Sequence, residues 1–133
     1  MLYLDTSAIV SLHIDHPHRH VIANAMRSTG DWCSSAITIV EAVALIDRVV
    51  DEPVFRRDLE DLVRLTWDRL AVIPVDQRCL DRAAVLMRSQ PLRIGDSLHL
   101  AATERLPPPV RFATLDPAQI PVALSLGLEV VSV

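Results

Sequence analysis

The 133-residue chain has a formal net charge of −4, half of its residues are hydrophobic and only 4% are aromatic. This balance predicts one domain, residues 1–133, with an aliphatic core, and it excludes disordered and low-complexity classes. All 13 basic residues are arginine and only three residues are glycine, which excludes lysine-dependent phosphate loops, lysine Schiff bases and Gly-rich dinucleotide turns.

Short apolar runs alternate with helical patterns through the first half of the chain. The predicted elements, in order, are a strand at 2–4, a short helix ending at residue 12, a loop over 13–20 leading into a helix over about 18–27, a strand at 32–34, and helices over 36–50 and from 53 to about 69. The helix over 36–50 is apolar on nearly every face, so it is predicted to be buried or covered by a partner chain.

The alternation continues through the second half. The predicted elements are a strand at 70–75, a helix capped by Asp76 and ending near Arg88, a helix over 94–104, a strand at 110–114, a helix over 117–126 and a strand at 128–133. This order predicts a parallel sheet covered on both faces, with ligands bound beyond the carboxyl ends of its strands.

Three observations concern location and cysteine chemistry. The longest apolar run, 36–46, is too short to cross a bilayer, so no membrane span is expected. Asp5 would interrupt the apolar stretch of a signal peptide, so a cytoplasmic location is expected. Cys33 and Cys79 fit neither a metal-ligand spacing nor a disulfide framework, and both are predicted to be small buried hydrophobes.

Four carboxylates occupy positions that need explaining. Glu41 interrupts an otherwise apolar helix, so its charge is predicted to meet an arginine, a proton or a metal ion; a structural ion pair or the rim of a dimer contact is the alternative. Asp5 and Asp116 follow predicted strands and Asp96 begins a helix, although each is also an ordinary helix cap. Taken together, the four are predicted to converge at one edge of the sheet.

The chemistry of such a cluster follows from its charge. Carboxylates a few ångströms apart raise one another's pKa unless a divalent cation neutralises them. Ligation by carboxylates and water suits magnesium or manganese rather than zinc. Clusters of this kind serve phosphoryl chemistry, so hydrolysis of a phosphodiester is the predicted reaction.

Four segments together carry a family resemblance: Leu2-Tyr3-Leu4-Asp5-Thr6-Ser7-Ala8, Ser35-Ala36-Ile37-Thr38-Ile39-Val40-Glu41, Gly95-Asp96-Ser97-Leu98-His99-Leu100-Ala101 and Phe112-Ala113-Thr114-Leu115-Asp116. In this order and spacing the chain resembles PIN-domain proteins, and more narrowly the VapC-type toxin ribonucleases of bacterial toxin–antitoxin systems. The resemblance implies a three-layer α/β/α fold around a central parallel sheet of about five short strands.

The resemblance also implies a function. It implies a Mg²⁺- or Mn²⁺-dependent endoribonuclease in which Asp5, Glu41, Asp96 and Asp116 hold the metal, with Thr114 and Ser7 as hydroxyl donors to a carboxylate, water or phosphate. It further implies a homodimer, an RNA substrate and a cognate VapB-type antitoxin, with DNA contacted only indirectly through that antitoxin. On this basis Asp5→Ala and Asp96→Asn are both predicted to abolish cleavage and to leave the fold intact, because each removes one charge from a repulsive cluster.

Two features depart from the family pattern. The Pro107-Pro108-Pro109 run is predicted to stiffen a loop near the pocket, and Pro117 is predicted to hold Asp116 in extended backbone geometry, which bears on its metal contact.

Several other side chains allow more than one interpretation. Four histidines (His13, His16, His18 and His20) could recruit zinc, form a solvated polar loop or contact RNA phosphate. His99 is interpreted as a core histidine in preference to a general base. Four arginines are candidate phosphate contacts: Arg19, Arg27, Arg93 and Arg111. The net charge of −4 predicts weak, salt-sensitive RNA affinity, with selectivity from RNA shape and single-stranded loops.

Rival functions are weaker. A response-regulator receiver requires a lysine, which the chain lacks, and an aspartyl-phosphate phosphatase requires an acid at the position of Ser7. A catalytically inactive PIN-like binding or scaffold module remains as the alternative, and its function would not need a metal.

Overall fold

The described residues, 1–132 of a computed structural model, alternate between short strands and helices. The strands are Leu2–Leu4 (β1), Trp32–Ser35 (β2), Ala71–Ile73 (β3), Arg111–Ala113 (β4) and Glu129–Val131 (β5). The helices are Thr6–Ser11 (α1), Arg19–Ser28 (α2), Ile37–Val49 (α3), Pro53–Trp67 (α4), Gln77–Ser89 (α5), Ile94–Thr103 (α6) and Ile120–Ser125 (α7), with a 3-10 turn at Pro117–Gln119 before α7. Val133, the last residue of the strand predicted at 128–133, lies outside the described residues.

The strands form one parallel sheet in the order β3-β2-β1-β4-β5. Leu2 of β1 is in register with Trp32 on one side and with Arg111 on the other. The chain therefore builds one half of the sheet outward from β1 and then crosses over to build the other half. In open parallel sheets this reversal opens a crevice at the carboxyl ends of the central strands, where ligands bind.

Helices cover both faces of the sheet, as predicted. Leu2 and Leu4 of β1 point into a core formed with α1–α4, whereas Tyr3 points into a second core formed with α5, α6 and α7. Alternate residues of a strand face opposite sides of its sheet, and here all three residues of β1 are fully buried. The predicted three-layer α/β/α architecture is confirmed, and Asp5 leaves its central strand directly at the carboxyl edge.

The prediction for the apolar helix over 36–50 needs a correction. Three residues of α3 are buried: Ala42 and Ile46 pack in the core with α1 and α4, and the Thr38 hydroxyl lies 2.7 Å from that of Ser34 in β2. Val40 and Val49 are 67% and 59% exposed. The helix is therefore not buried within the chain, because neighbouring elements cover one stripe of it. Coverage by a partner chain stays a prediction.

The proline run also lies elsewhere than predicted. It precedes Arg111 at the amino end of β4, where the Arg111 backbone N–H donates to the carbonyl of Met1. Asp5 is at the opposite edge, where its backbone N–H donates to the carbonyl of Ala113 at the carboxyl end of β4. The run therefore cannot stiffen a loop beside the predicted pocket. Both cysteines are buried and free, which confirms their interpretation as small core residues.

Among residues 1–132, no helix combines the length and the hydropathy that a membrane-spanning segment requires.

Candidate functional site

A cavity of about 310 Å³ opens at the carboxyl edge of the sheet, where β1 ends. All four predicted acids line it, Asp5, Glu41, Asp96 and Asp116. Other polar and charged side chains complete the lining: Thr6, Ser7, Arg48, Arg93, His99 and Gln119. The topology thus brings together carboxylates from α3, from α6 and from the ends of two neighbouring strands.

Asp5 is the most buried of these acids, at 1% exposure, and it caps the amino end of α1. Its Oδ1 accepts hydrogen bonds from the Ser7 hydroxyl (2.7 Å) and the Ala8 backbone N–H (2.9 Å). Its Oδ2 accepts from the Thr114 hydroxyl (2.6 Å) and the Gln119 side-chain amide (2.9 Å). Burial raises the pKa of Asp5, although His99 and the donors act in the opposite direction. Both predicted hydroxyl donors, Ser7 and Thr114, therefore reach the same carboxylate.

Glu41 is hydrogen-bonded to a histidine, which was not among its predicted partners. Its Oε1 accepts from His99 Nε2 at 2.6 Å and from the Thr6 hydroxyl at 2.7 Å. Burial acts to raise the pKa of Glu41, but the His99 and Thr6 hydrogen bonds outweigh it and the pKa is lowered. The other oxygen, Oε2, lies against Gly95, where any added Cβ would approach it to 2.5 Å. A side chain at position 95 would clash with this carboxylate, so the glycine is what provides room for Oε2.

Asp96 and Asp116 are joined by one arginine. Arg93 Nε donates to Asp96 Oδ2 at 3.1 Å, and its Nη2 donates to Asp116 Oδ2 at 2.8 Å. Asp116 Oδ1 caps the following turn by accepting from the Ala118 N–H. The backbone of Asp116 is extended, with φ −94° and ψ 109°. The extended geometry predicted from Pro117 is confirmed. The Arg93 side chain is 78% exposed, so it can leave these acids at little packing cost.

Replacing Arg93 with glutamine should strengthen divalent-cation binding. The guanidinium neutralises two of the cavity's carboxylates, so its removal leaves them more negative. We expect the dissociation constant for Mn²⁺, measured by calorimetry at low salt, to fall roughly three- to tenfold, since one exposed charge a few ångströms away contributes about 1 kcal/mol. Arg64→Gln removes an equal charge from an exposed pair with Glu60 on α4 and serves as the control. Equal effects in the two variants would contradict a direct role for Arg93.

The donor chemistry of the cavity suits a hard divalent cation. Glu41 Oε2 and Asp96 Oδ1 accept no hydrogen bond from the described residues, so each has free lone pairs. Within residues 1–132, no three His, Cys, Asp or Glu side chains stand close enough together to hold a metal ion by themselves. This openness fits Mg²⁺, which keeps several waters and is held by one or two carboxylates together with substrate phosphate. It does not fit a structural zinc site.

Sequence reasoning missed several lining residues. His99 was interpreted as a core residue, and it is both 2% exposed and bonded to Glu41. Its spacing of three residues from Asp96, which places both on one helix face, was the available signal. Gln119 and Arg48 offered no local signal, because the sequence pattern does not show which turns reach the cavity.

The remaining candidates lie in different surroundings. Arg93 lines the cavity, whereas Arg111 donates to Ser28 and Thr29 near the other edge of the sheet. His13 Nε2 contacts the Thr66 hydroxyl at 2.8 Å, and the rings of His16 and His18 lie 5.7 Å apart. In the part of the chain that the structure describes, the histidines form no group able to hold a metal. The zinc interpretation therefore has no support.

Comparison with known proteins agrees with this architecture. Ribonuclease VapC46 of Mycobacterium tuberculosis is 31% identical over 133 residues, covering 98% of this chain and 96% of that protein. The fold is similar to VapBC2 from Rickettsia felis bound to a promoter DNA fragment, with a TM-score of 0.71 and 16% identity over 98% of both chains. It is also similar to VapBC-5 of M. tuberculosis, a member of the VapBC toxin–antitoxin systems, with a TM-score of 0.67 and 18% identity over 98% of this chain and 97% of that one. The family model described as the PIN domain matches residues 2–106, and the chain belongs to the PIN-domain family.

Proposed function

We propose that this chain is a Mg²⁺- or Mn²⁺-dependent endoribonuclease, the toxin of a toxin–antitoxin system. The observation that carries the proposal is the meeting of Asp5, Glu41, Asp96 and Asp116 in one cavity at the carboxyl edge of the sheet. A relative of nearly equal length is named a ribonuclease. The same fold occurs in structures described as toxin–antitoxin complexes.

Glu41 and Asp96 would hold the cation through their free oxygens, with Asp5 and Asp116 completing the negative field around it. When bound, the cation supplies charge neutralisation at the scissile phosphate and lowers the pKa of water. Thr114 and Ser7 keep Asp5 in place by donating to it from two sides. Thr114 is fully buried, so its role is to orient Asp5 and not to touch RNA.

Arginines at the mouth of the cavity would receive the RNA backbone. Arg48 lines the cavity and forms no hydrogen bond or ion pair with the described residues, so its guanidinium is available for a phosphate. Arg93, whose side chain is 78% exposed, could turn from Asp96 and Asp116 towards the same phosphate. Two cationic side chains and a bound divalent ion would offset the chain's net charge of −4 at the place where RNA must bind.

The partners follow from the same proposal. A cognate VapB-type antitoxin would inhibit the chain, and contact with DNA would come only through that antitoxin, since relatives of this fold occur in DNA-bound antitoxin complexes. The uncovered apolar side chains of α3, Val40 and Val49, favour a homodimer in which a second copy covers them. We place the protein in the cytoplasm, where its RNA substrate is.

Cleavage of total cellular RNA tests the proposal. Purified protein free of antitoxin is incubated with Mg²⁺, with Mn²⁺ or with chelator, and the new RNA ends are sequenced. We expect discrete cuts with either metal, no cuts with chelator, and recovery when excess Mg²⁺ is added back. Cutting that persists in chelator would contradict the metal role. A folded protein that makes no cuts under any condition would favour a PIN-like binding or scaffold module.

A further inference from the structure

A chain of buried polar side chains connects the core of the sheet to Glu41. Tyr3 of β1 is fully buried and its hydroxyl lies 2.7 Å from His99 Nδ1. His99 of α6 is 2% exposed, and its Nε2 lies 2.6 Å from Glu41 Oε1. Tyr3 and His99 are 96 residues apart in sequence; Tyr3 stacks on Phe112 in the core, and the His99 ring lies edge-on to the Tyr3 ring.

The two ends of this chain set the direction of its hydrogen bonds, because the Glu41 carboxylate only accepts and the Ser35 backbone N–H only donates. The Ser35 backbone N–H, which can only donate, lies 3.2 Å from the Tyr3 hydroxyl oxygen. The tyrosine proton is then free to point to His99 Nδ1, which becomes an acceptor. A neutral imidazole that accepts at Nδ1 carries its proton on Nε2, which faces Glu41.

This direction leaves one oxygen of Glu41 for a ligand. Oε1 accepts from both His99 and Thr6, whereas Oε2 has no donor among the described residues and lies in the space beside Gly95. Glu41 projects from α3, a helix with only one buried stripe, so backbone packing alone does not fix its carboxylate. The hydrogen bonds to Oε1 supply that restraint.

We propose that Tyr3 and His99 are positioning residues that hold Glu41 ready to bind a divalent cation, with Tyr3 selecting the His99 tautomer that donates to it. The inference rests on the proposed function, because it concerns the same cavity. It gives a role to two side chains that are buried beneath the cavity, at 0% and 2% exposure. Hydrogen-bond partners of a metal ligand typically change metal affinity 10- to 100-fold when they are lost.

Two substitutions of His99 separate hydrogen bonding from packing. The amide nitrogen of His99→Gln can reach the position of Nε2 and donate to Glu41, whereas His99→Leu fills similar space without a donor. We expect Mn²⁺ affinity, measured by calorimetry without RNA, to fall about tenfold or more in His99→Leu and less than about threefold in His99→Gln. His13→Gln, which alters a histidine bonded to Thr66 far from Glu41 in the chain, should leave affinity unchanged. Equal Mn²⁺ affinity in His99→Leu, His99→Gln and the wild type would overturn the inference.

Tyr3→Phe tests the tautomer itself and keeps the ring that stacks on Phe112. Nitrogen-15 NMR of the imidazole should show the proton of His99 on Nε2 in the wild type and a mixture of tautomers in Tyr3→Phe, with Mn²⁺ affinity weakened about tenfold. A wild-type proton on Nδ1, or unchanged Mn²⁺ affinity in folded Tyr3→Phe, would overturn the inference. This readout also decides the matter if His99→Leu does not fold. If the wild-type protein neither binds Mn²⁺ nor cuts RNA, the proposed function is overturned together with the inference. If the wild type binds Mn²⁺ and cuts RNA, and the variants do so equally well, only the inference is overturned.

Discussion

Asp96→Asn is expected to lower the rate of RNA cleavage on the order of 10³-fold, about 4 kcal/mol of lost transition-state stabilisation. Asp96 contributes one of the two cavity carboxylate oxygens that no donor among residues 1–132 occupies, so this oxygen is available to a cation. The asparagine keeps an oxygen for Arg93 and keeps the side-chain volume. The expected loss is therefore chemical and not structural.

The fold of Asp96→Asn should be nearly unchanged. Asp96 lies in the first turn of α6, where a negative charge stabilises a helix by roughly 0.3–1 kcal/mol, so the free energy of unfolding should fall by no more than about 1 kcal/mol. Rates come from cleavage of a defined RNA with Mg²⁺, and stability comes from urea unfolding. Asp61→Asn, on an exposed position of α4, is the control. An active Asp96→Asn protein, or an inactive one that is also unfolded, would contradict this role.

Asp5→Ala is expected to abolish cleavage and also to destabilise the fold by about 2–4 kcal/mol, which lowers Tm by roughly 10 °C. The substitution removes the cap of α1 and the acceptor for four donors. The Ala8 N–H cannot turn away, and the amide of Gln119 is buried. The sequence-based prediction of an intact fold is therefore revised for this variant.

Asp5→Asn is the matched comparison. Its oxygen can still cap α1 at the Ala8 N–H, while its amide group would face Gln119. The Gln119 Oε1 atom is buried without a hydrogen-bond partner among residues 1–132, so rotation of the Gln119 amide would give the new donor an acceptor. We expect the free energy of unfolding of Asp5→Asn, measured in thermal and urea melts, to lie less than about 1 kcal/mol below that of the wild type. The variant should be as inactive as Asp5→Ala. If alanine and asparagine prove equally stable, the four donors contribute little to the fold.

The parts of the site that follow from local pattern could be predicted from the sequence. Asp5 and Asp116 follow short apolar runs, and Glu41 interrupts one, so each is conspicuous within a few neighbours. Strand ends in a parallel sheet share an edge, which was enough to bring these acids together. Alternating strands and helices likewise sufficed for the three-layer fold.

Contacts between distant residues could not be predicted in this way. Tyr3 belongs to an apolar run that hides the role of its hydroxyl, and its partner His99 is 96 residues away. Gln119 reaches Asp5 across 114 residues, from a turn whose orientation depends on packing against the sheet. For α3, hydropathy alone could not show that its neighbours cover a single stripe and leave Val40 exposed. Each of these features depends on tertiary packing, which no local pattern encodes.

The central position of β1 also determines when during synthesis the site can form. β1 is the first strand in the sequence, but its neighbour β4 and the Asp5 donors Thr114 and Gln119 come more than a hundred residues later. Chains emerge from the ribosome in sequence order, so a growing chain that stops short of these residues lacks a complete sheet, Asp116 and half of the donors to Asp5. The site of a protein built in this way stays incomplete until residues 111–119 have been made.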